Sequence, residues 1–245
     1  MAHEKPGKEL QNFLKAYPDT KLIELLQPDM NGIFRGKRLP ADEFSKLFDD
    51  GVNYCASSVV MDTKGEAFDS VYYGNRDGDP DVMSQAVEGS LVPVPWALQP
   101  TAQVLLQLNN IDGSPYFADP RTVLETALKP LTDMGLQPVV ATELEFYLLE
   151  HDGEKYLPKV GTLPGSKLRQ EGMQFSTLDD LAEIDSLLAD IDRVCQAQNI
   201  PAGTTLSEYA PGQFEINLKH VRSEETRLNS SPVVNSDAVF RLKKK

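Results

Sequence analysis

The sequence predicts an α+β fold, and three patterns support that prediction. Apolar residues recur at helical spacing in stretches that begin near residues 6, 120 and 178. Segments of β-prone residues lie between them, most clearly at 101–108 and 138–150. Because the strand-rich part comes first and a helix–strand–helix–strand series follows, we expect a mixed, β-rich first unit and a second unit in which helices cover a sheet.

The elements of the first half follow from local residue patterns. A short amphipathic helix is expected over 6–17, followed by two strands that flank a turn at 29–32. A second helix is expected over 41–49, with Gly51 as its C-terminal stop. The run TAQVLLQL, residues 101–108, predicts the clearest strand of this half.

A boundary is expected near residues 110–120, where a turn precedes a helix start. Asp119 suits the N-cap of that helix and Pro120 its first position, where a missing N–H costs nothing. The helix is expected to end at Gly135, and Pro130 predicts a kink or an earlier end.

The second half continues with a strand and a second long helix. The strand is expected at 138–150, and a polar, glycine-rich segment follows at 151–176. One continuous helix is expected over 178–199. Residues 204–218 then predict two strands joined by the turn at 210–212.

Composition excludes several classes of protein. The 245 residues include 24 Lys+Arg and 37 Asp+Glu, which gives a net charge of −13 and argues against general binding of nucleic acid or anionic membranes. We find no apolar run long enough to cross a membrane and no N-terminal signal core. Cys55 and Cys195 form neither a disulfide framework nor a metal knuckle. A cytoplasmic protein with free thiols is therefore expected.

Four glutamates form the candidate site. Glu143 and Glu145 share one face of the predicted strand, about 7 Å apart, so that each can hold a different ion of a pair. Such an E-x-E pattern alone is common in strands with one face in water. Glu215 lies on the polar face of a later strand, and the turn before that strand brings Glu208 towards it.

The chemistry of this cluster predicts a divalent cation. Four carboxylates on neighbouring strands repel one another and raise each other's pKa. Two divalent cations neutralise them, and all-oxygen ligation without Cys or His favours Mg²⁺ or Mn²⁺ over Zn²⁺. Hard cations beside a substrate phosphate are typical of phosphoryl transfer.

The chain resembles the glutamine synthetase superfamily over about residues 10–220. The resemblance is carried by NGIFRGKRLP (31–40), VPWALQPTAQVLL (94–106), DGSPYFADPRTVL (112–124), GLQPVVATELEFYLL (135–149) and EYAPGQFEINL (208–218). It implies an N-terminal helix at 1–17, a β-grasp domain at 18–113, the first part of the catalytic domain at 119–221, and a tail at 222–245 that departs from the family.

The resemblance also implies a reaction and a set of ligands. ATP phosphorylates the γ-carboxylate of glutamate, and a nitrogen nucleophile attacks the γ-glutamyl phosphate to form an amide. Glu145, Glu208 and Glu215 correspond to the ligands of the ion nearer glutamate. Glu143 corresponds to a ligand of the ion beside the ATP phosphates. Family members form homo-oligomeric rings in which one subunit's β-grasp domain completes its neighbour's site.

Within the superfamily the chain is most similar to γ-glutamylpolyamine synthetases such as glutamate–putrescine ligases. The Gly-Ser-Ser stretch of ammonia-using enzymes is replaced by MDTKGEAFDS at 61–70, which favours a larger amine such as putrescine. Asp62 or Asp69 then becomes a weak candidate beside the amine, with an ordinary loop aspartate as the alternative. An ammonia-using glutamine synthetase and a non-catalytic relative of the family stay open as alternatives.

Other tempting residues are expected to have no direct role. His151 starts a polar loop and is expected in solvent, and Arg35 and Arg38 are expected to be structural. His220 follows the strand of Glu215, but in the family that the chain resembles the ligand histidine comes much later. The family's M-A-K-P strand, its later histidine and glutamate ligands and its substrate-binding arginines have no counterpart among these 245 residues. We therefore expect the chain to be an incomplete, inactive part of such an enzyme, with most of the ATP site lying beyond Lys245.

Overall fold

The computed structural model describes residues 6–66, 78–163, 165–222 and 238–244. The chain divides into two compact units, and the division falls between Gln137 and Pro138. Within the described ranges, no helix is long and apolar enough to cross a membrane.

The first unit is built on a mixed sheet with the strand order β2-β1-β7-β5-β4. Strands β3 and β6 pair with β1 and β7 outside that path, and β1 runs parallel to β7 while the other pairs are antiparallel. The strands are β1 (Leu22–Pro28), β2 (Phe34–Arg35), β3 (Arg38–Pro40), β4 (Val52–Cys55), β5 (Asp81–Ala86), β6 (Val92–Pro93) and β7 (Thr101–Asn109).

Two helices cover one face of this sheet. They are α1 (Pro6–Ala16) and α2 (Phe44–Asp49), the latter preceded by a 3₁₀ turn at Ala41–Glu43. A second 3₁₀ turn lies at Ala56–Val59. The core beneath the helices is apolar and fully buried, with Leu10 and Phe13 of α1 and Leu47 of α2 against Ile23, Val104 and Leu106 of the sheet. The predicted helices over 6–17 and 41–49 are confirmed, as is the strand at 101–108.

The helix α3 (Pro120–Asp133) begins where the sequence predicts. The Asp119 carboxylate accepts a hydrogen bond from the Thr122 backbone N–H at 3.1 Å, so Asp119 is the N-cap. Pro130 lies inside the helix without ending it there, and Gly135 follows with φ 70°. Because the division between the units falls after Gln137, α3 clusters with the first unit. The predicted domain limits 18–113 and 119–221 stay predictions.

The second unit has a five-stranded sheet in the order β11-β12-β8-β13, in which these neighbours pair antiparallel, and β14 also pairs with β8. Its strands are β8 (Leu136–Tyr147), β11 (Ala202–Ser207), β12 (Gln213–Leu218), β13 (Val221–Arg222) and β14 (Ala238–Lys244). A separate hairpin joins β9 (Leu149–His151) to β10 (Tyr156–Pro158). The strand at 238–244 lies within the predicted tail 222–245, where the sequence shows no periodicity; the limits of that tail stay a prediction.

The expectation of one continuous helix over 178–199 is wrong. The structure has α4 (Leu178–Glu183) and α5 (Asp185–Ala197), separated at Ile184, whose backbone leaves the helical region at φ −116° and ψ 14°. The Ile184 N–H still bonds to the Leu181 carbonyl, closing α4, and its side chain is buried. Asp185 begins the new helix with a negative charge in its first turn, which the helix dipole favours.

Candidate metal centre

Three of the four glutamates face the same side of the second unit's sheet. In the pairing of β8 with β12, Glu145 lies directly opposite Glu215 and Glu143 lies opposite Asn217. Residues directly opposite each other in an antiparallel pair project to the same face. The polar face predicted from the alternation along each strand is therefore formed by Glu143, Glu145 and Glu215 together.

The opposite face of these strands is apolar and fixes their register. Phe214 is 1% exposed, its ring centroid lies 6.0 Å from that of Phe146, and the two residues are directly opposite in the ladder. Ile216 is also buried. A shift of one residue in either strand moves these apolar side chains to the face that carries the carboxylates. The apolar face thus determines which glutamates meet.

The fourth glutamate, Glu208, follows the end of β11 at the start of the turn to β12. Its backbone N–H donates to the Gln213 carbonyl at 2.9 Å, and the Gln213 N–H donates to the Ala210 carbonyl at 3.0 Å. Gly212 has φ 73°, and a Cβ there lies 2.8 Å from the Leu148 carbonyl oxygen, so the turn needs glycine. Glu208 lies near Glu215, close enough for its carboxyl to raise the pKa of the Glu215 carboxyl.

The charges of this cluster act on Glu215 most strongly. Its side chain is 8% exposed. Burial raises the pKa of the Glu215 carboxyl, and the hydrogen bond with Glu208 and the charge of Glu143 raise it further. The Asn217 amide opposes this shift by donating to Glu215 at 2.7 Å. This carboxyl therefore carries a free-energy cost as an anion, which a cation placed between the carboxylates relieves.

Two amide side chains belong to the site and were not among the predicted residues. Gln213 donates from Nε2 to the Glu145 carboxylate at 2.8 Å, and Asn217 donates from Nδ2 to Glu215. Both lie on the same face as Glu215, since residues 213, 215 and 217 alternate with the apolar Phe214 and Ile216 along β12. That alternation is the signal in the sequence from which they could have been found.

The donor set fits a hard divalent cation, although the oxygens are not gathered around one point. Within the part of the chain that the structure describes, no three His, Cys, Asp or Glu side chains lie close enough to enclose one metal ion. Glu145 and Glu215 each accept a hydrogen bond from a neighbouring amide. The ligand roles of Glu143, Glu145, Glu208 and Glu215 stay predictions.

Both histidines of the second unit are exposed. His151 lies edge-on to Tyr156, and its Nδ1 accepts a hydrogen bond from the Gly153 N–H. His220 is exposed just beyond β12. The exposure of His151 agrees with the expectation that it lies in solvent, and the absence of a direct role for either histidine stays a prediction.

The first unit contains the remaining candidates. Arg35 donates to buried Asp29 at 2.9 Å, and Arg38 pairs with Glu24 at 2.7 Å, which supports structural roles for both arginines. The Asp62 carboxylate accepts the backbone N–H groups of two later loop residues at 2.8 Å each, so it stabilises its own loop.

Two residues named in the sequence predictions lie outside the described residues. They are Asp69, the other weak candidate beside the amine, and Lys245, beyond which most of the ATP site is expected. The role of Asp69 and the location of the ATP site beyond Lys245 therefore stay predictions.

Comparisons with known proteins show which proteins the chain is similar to. Residues 117–227 match the catalytic domain of glutamine synthetase. The chain is 40% identical over 215 residues to the gamma-glutamylputrescine synthetase PuuA of Escherichia coli, which covers 87% of this chain and 45% of that protein. It is 28% identical over 214 residues to the glutamate–isopropylamine ligase of a Pseudomonas species, covering 86% of this chain and 46% of that protein.

The fold comparison agrees with the sequence comparison. The cryo-EM structure of Plasmodium falciparum glutamine synthetase superimposes with a TM-score of 0.67 at 15% identity. The match covers 98% of this chain and 50% of the glutamine synthetase chain. The chain belongs to the glutamine synthetase superfamily. Two of its relatives are glutamate–amine ligases by name, and the chain spans just under half the length of each.

Proposed function

We propose that this chain contributes the carboxylate-lined metal site of an ATP-dependent ligase that joins the γ-carboxylate of glutamate to an amine. The observation that supports this most is the arrangement of Glu143, Glu145 and Glu215 on one sheet face, with Glu208 in contact with Glu215. A sheet stabilised for its own sake gains nothing from like charges placed directly opposite each other. Divalent cations bound between these carboxylates would offset their repulsion.

The proposed roles follow the chemistry of the donors. Glu145, Glu208 and Glu215 would hold the Mg²⁺ or Mn²⁺ ion nearer glutamate, and Glu143 would contribute to the ion beside the ATP phosphates. Bound there, the two ions would neutralise phosphate charge and polarise the γ-carboxylate as it becomes a γ-glutamyl phosphate. Gln213 and Asn217 orient two of the carboxylates through their amide donors. The buried Phe214 and Ile216 hold β12 in the register that this requires.

The proposed nitrogen substrate is putrescine or another polyamine. The names of two relatives, a gamma-glutamylputrescine synthetase and a glutamate–isopropylamine ligase, support an organic amine. The chain is also 32% identical over 143 residues to a glutamine synthetase of Pyrococcus abyssi, so ammonia is the alternative nitrogen substrate. A non-catalytic relative of the family is the other alternative, and the four glutamates argue against it.

An ADP-release assay of the complete protein tests this function. Glutamate is supplied with putrescine, ethanolamine or ammonia in turn, at limiting Mg²⁺. We expect the highest kcat/KM with a polyamine, and we expect Glu145→Ala to lose activity because one ligand of the polarising ion is removed. Glu154→Ala, which changes an exposed loop glutamate of the same unit, is the matched control. Normal turnover by the Glu145 variant contradicts the metal assignment.

We further propose that the first unit is a β-grasp domain which completes the site of a neighbouring subunit in a homo-oligomeric ring. Its mixed sheet, with two helices packed against one face, supports this. The 245-residue chain alone is then expected to be inactive, because the second-ion ligands and substrate-binding arginines that the resemblance implies have no counterpart among these residues, and phosphoryl transfer depends on such groups. The proposed location is the cytoplasm. A monomer by light scattering that still turns over substrate contradicts the ring.

A further inference from the structure

Glu208 differs from the other three glutamates in how its backbone is held. Glu143 and Glu145 lie within β8 and Glu215 lies within β12, so ladder hydrogen bonds on these strands fix them. β11 ends at Ser207, one residue before Glu208. Beyond that end, the Glu208 backbone is bonded to β12 through its N–H, which donates to the Gln213 carbonyl at 2.9 Å, so the contacts of its two chain neighbours also position its side chain.

The segment 175–177, just before α4, contacts both chain neighbours of Glu208. On one side, the Ser176 N–H donates to the Ser207 carbonyl at 2.9 Å, and the Ser207 hydroxyl lies 3.1 Å from the Thr177 carbonyl, to which it donates. On the other side, the rings of Phe175 and Tyr209 stack with centroids 4.5 Å apart and an interplanar angle of 17°. We call residues 175–177 the clasp.

The clasp is itself fixed to the rest of the unit. The Thr177 hydroxyl donates to the Asp180 carboxylate at 2.6 Å, and the other oxygen of that carboxylate accepts the Gly161 N–H at 3.0 Å. Ser176 has φ 59°, a left-handed conformation that a serine keeps only when its surroundings impose it. Ser207 is 2% exposed, so its bonds to the clasp are shielded from water.

We propose that the clasp, and Phe175 in particular, positions the metal site by holding Glu208 beside Glu215. The proposal rests on the proposed function, because it assigns the clasp a role only through a cation ligand. The stacked rings are each more than half exposed, so stacking contributes little to the core and its main consequence is the direction of the Glu208 backbone. The clasp contacts neither Glu143, Glu145 nor Glu215 in the bonds described above.

Binding of Mn²⁺ to the 245-residue chain, followed by the electron paramagnetic resonance signal of free Mn²⁺, tests the proposal without using activity. Phe175→Ala removes the stacking and is expected to weaken Mn²⁺ binding by about 10-fold, the usual cost of losing a residue that orients a ligand. Phe175→Tyr keeps the stack and is expected to restore wild-type affinity. Ser207→Ala, which removes the hydroxyl bond to Thr177, is expected to weaken binding in the same direction.

A double-mutant cycle with Glu208→Gln separates positioning from general damage to the fold. If Phe175 acts through Glu208, Phe175→Ala has no further effect on Mn²⁺ affinity once Glu208 is replaced. Tyr156→Ala is the matched control, since it removes an exposed aromatic contact on the β9–β10 hairpin and is expected to leave affinity unchanged.

The outcomes separate the two proposals. If Phe175→Ala lowers Mn²⁺ affinity equally in the wild type and in the Glu208→Gln variant, the positioning role is overturned and the metal site is not. An unchanged Mn²⁺ affinity in Phe175→Ala alone has the same consequence. A wild-type chain that binds no Mn²⁺ overturns the metal site of the proposed function, and the positioning role with it.

Discussion

Replacing Glu215 by Gln is expected to have opposite effects in the absence and in the presence of a divalent cation. Without a cation, Glu215 is a buried anion directly opposite Glu145 and in contact with Glu208. Glutamine keeps the shape of the side chain and its acceptor for the Asn217 amide, but removes the charge. With a cation, the same change removes a proposed ligand.

The magnitude follows from the geometry of the pair. Like charges directly opposite in an antiparallel ladder destabilise it by roughly 0.2–1 kcal/mol, and the contact with Glu208 adds to that, so we expect Glu215→Gln to stabilise the chain by about 1 kcal/mol. For a chain of this size that corresponds to a rise in Tm of about 2–4 °C. In saturating Mn²⁺, at about 100 times its Kd, the wild type gains about 2.7 kcal/mol that the variant lacks.

The pH dependence has a definite sign. Burial and the neighbouring carboxylates raise the pKa of Glu215 in the folded state. Below the unfolded pKa of about 4.3 the carboxyl is protonated in both states, so its stabilising contribution is complete. That contribution is lost as the pH rises through the folded pKa. The stability difference between Glu215→Gln and the wild type is therefore expected to widen from pH 5 towards pH 8.

Thermal unfolding followed by circular dichroism, with and without Mn²⁺ across that pH range, measures both effects. Glu154→Gln, the same change at an exposed loop position of the second unit, is the control and is expected to shift Tm by less than about 1 °C. A variant that is less stable than the wild type without cation refutes the repulsion. An equal Mn²⁺ response in variant and wild type refutes the ligand role.

Two further predictions concern single contacts. Asp119→Ala is expected to lower the free energy of unfolding by about 2–4 kcal/mol in urea titration, since it removes the α3 cap and leaves the buried Gln27 amide, which donates to Asp119 at 3.1 Å, without that acceptor. Burial raises the pKa of Asp119, so the wild type loses stability as the pH rises through the folded pKa. Asp119→Asn is expected to make the free energy of unfolding depend less on pH. The same slope of that free energy against pH in variant and wild type contradicts this expectation. Gly212→Ala is expected to lower the free energy of unfolding by about 2–3 kcal/mol, because Gly212 has a positive φ and a Cβ there meets the Leu148 carbonyl. Gly113→Ala is the control, since Gly113 also has a positive φ but lies in open space, and a smaller loss is expected. Equal losses in the two variants contradict the role of the close contact.

Local patterns in the sequence determined much of the site. Alternation along β8 and β12 predicted that Glu143, Glu145 and Glu215 each lie on a polar strand face, because successive side chains of a strand point to opposite sides. The same local reasoning predicted Asp119 as a helix cap and Gly212 within a turn. These features depend on residues a few positions apart, so a single sequence carries them.

Only the tertiary structure decided which of these residues meet. Glu145 rather than Glu143 lies opposite Glu215 because Phe146 pairs with Phe214 across the ladder. A slip of two residues keeps the same faces but puts Leu144 opposite Phe214 and loses the contact between the two rings. The apolar spacing of the sequence does not indicate the break at Ile184, because that spacing is the same on both sides of it. The Gln27–Asp119 bond spans 92 positions, and the stacking of Phe175 on Tyr209 likewise joins distant segments. Such contacts form through the packing of whole elements, whose register and burial depend on all partners at once, and no local pattern in the chain encodes them.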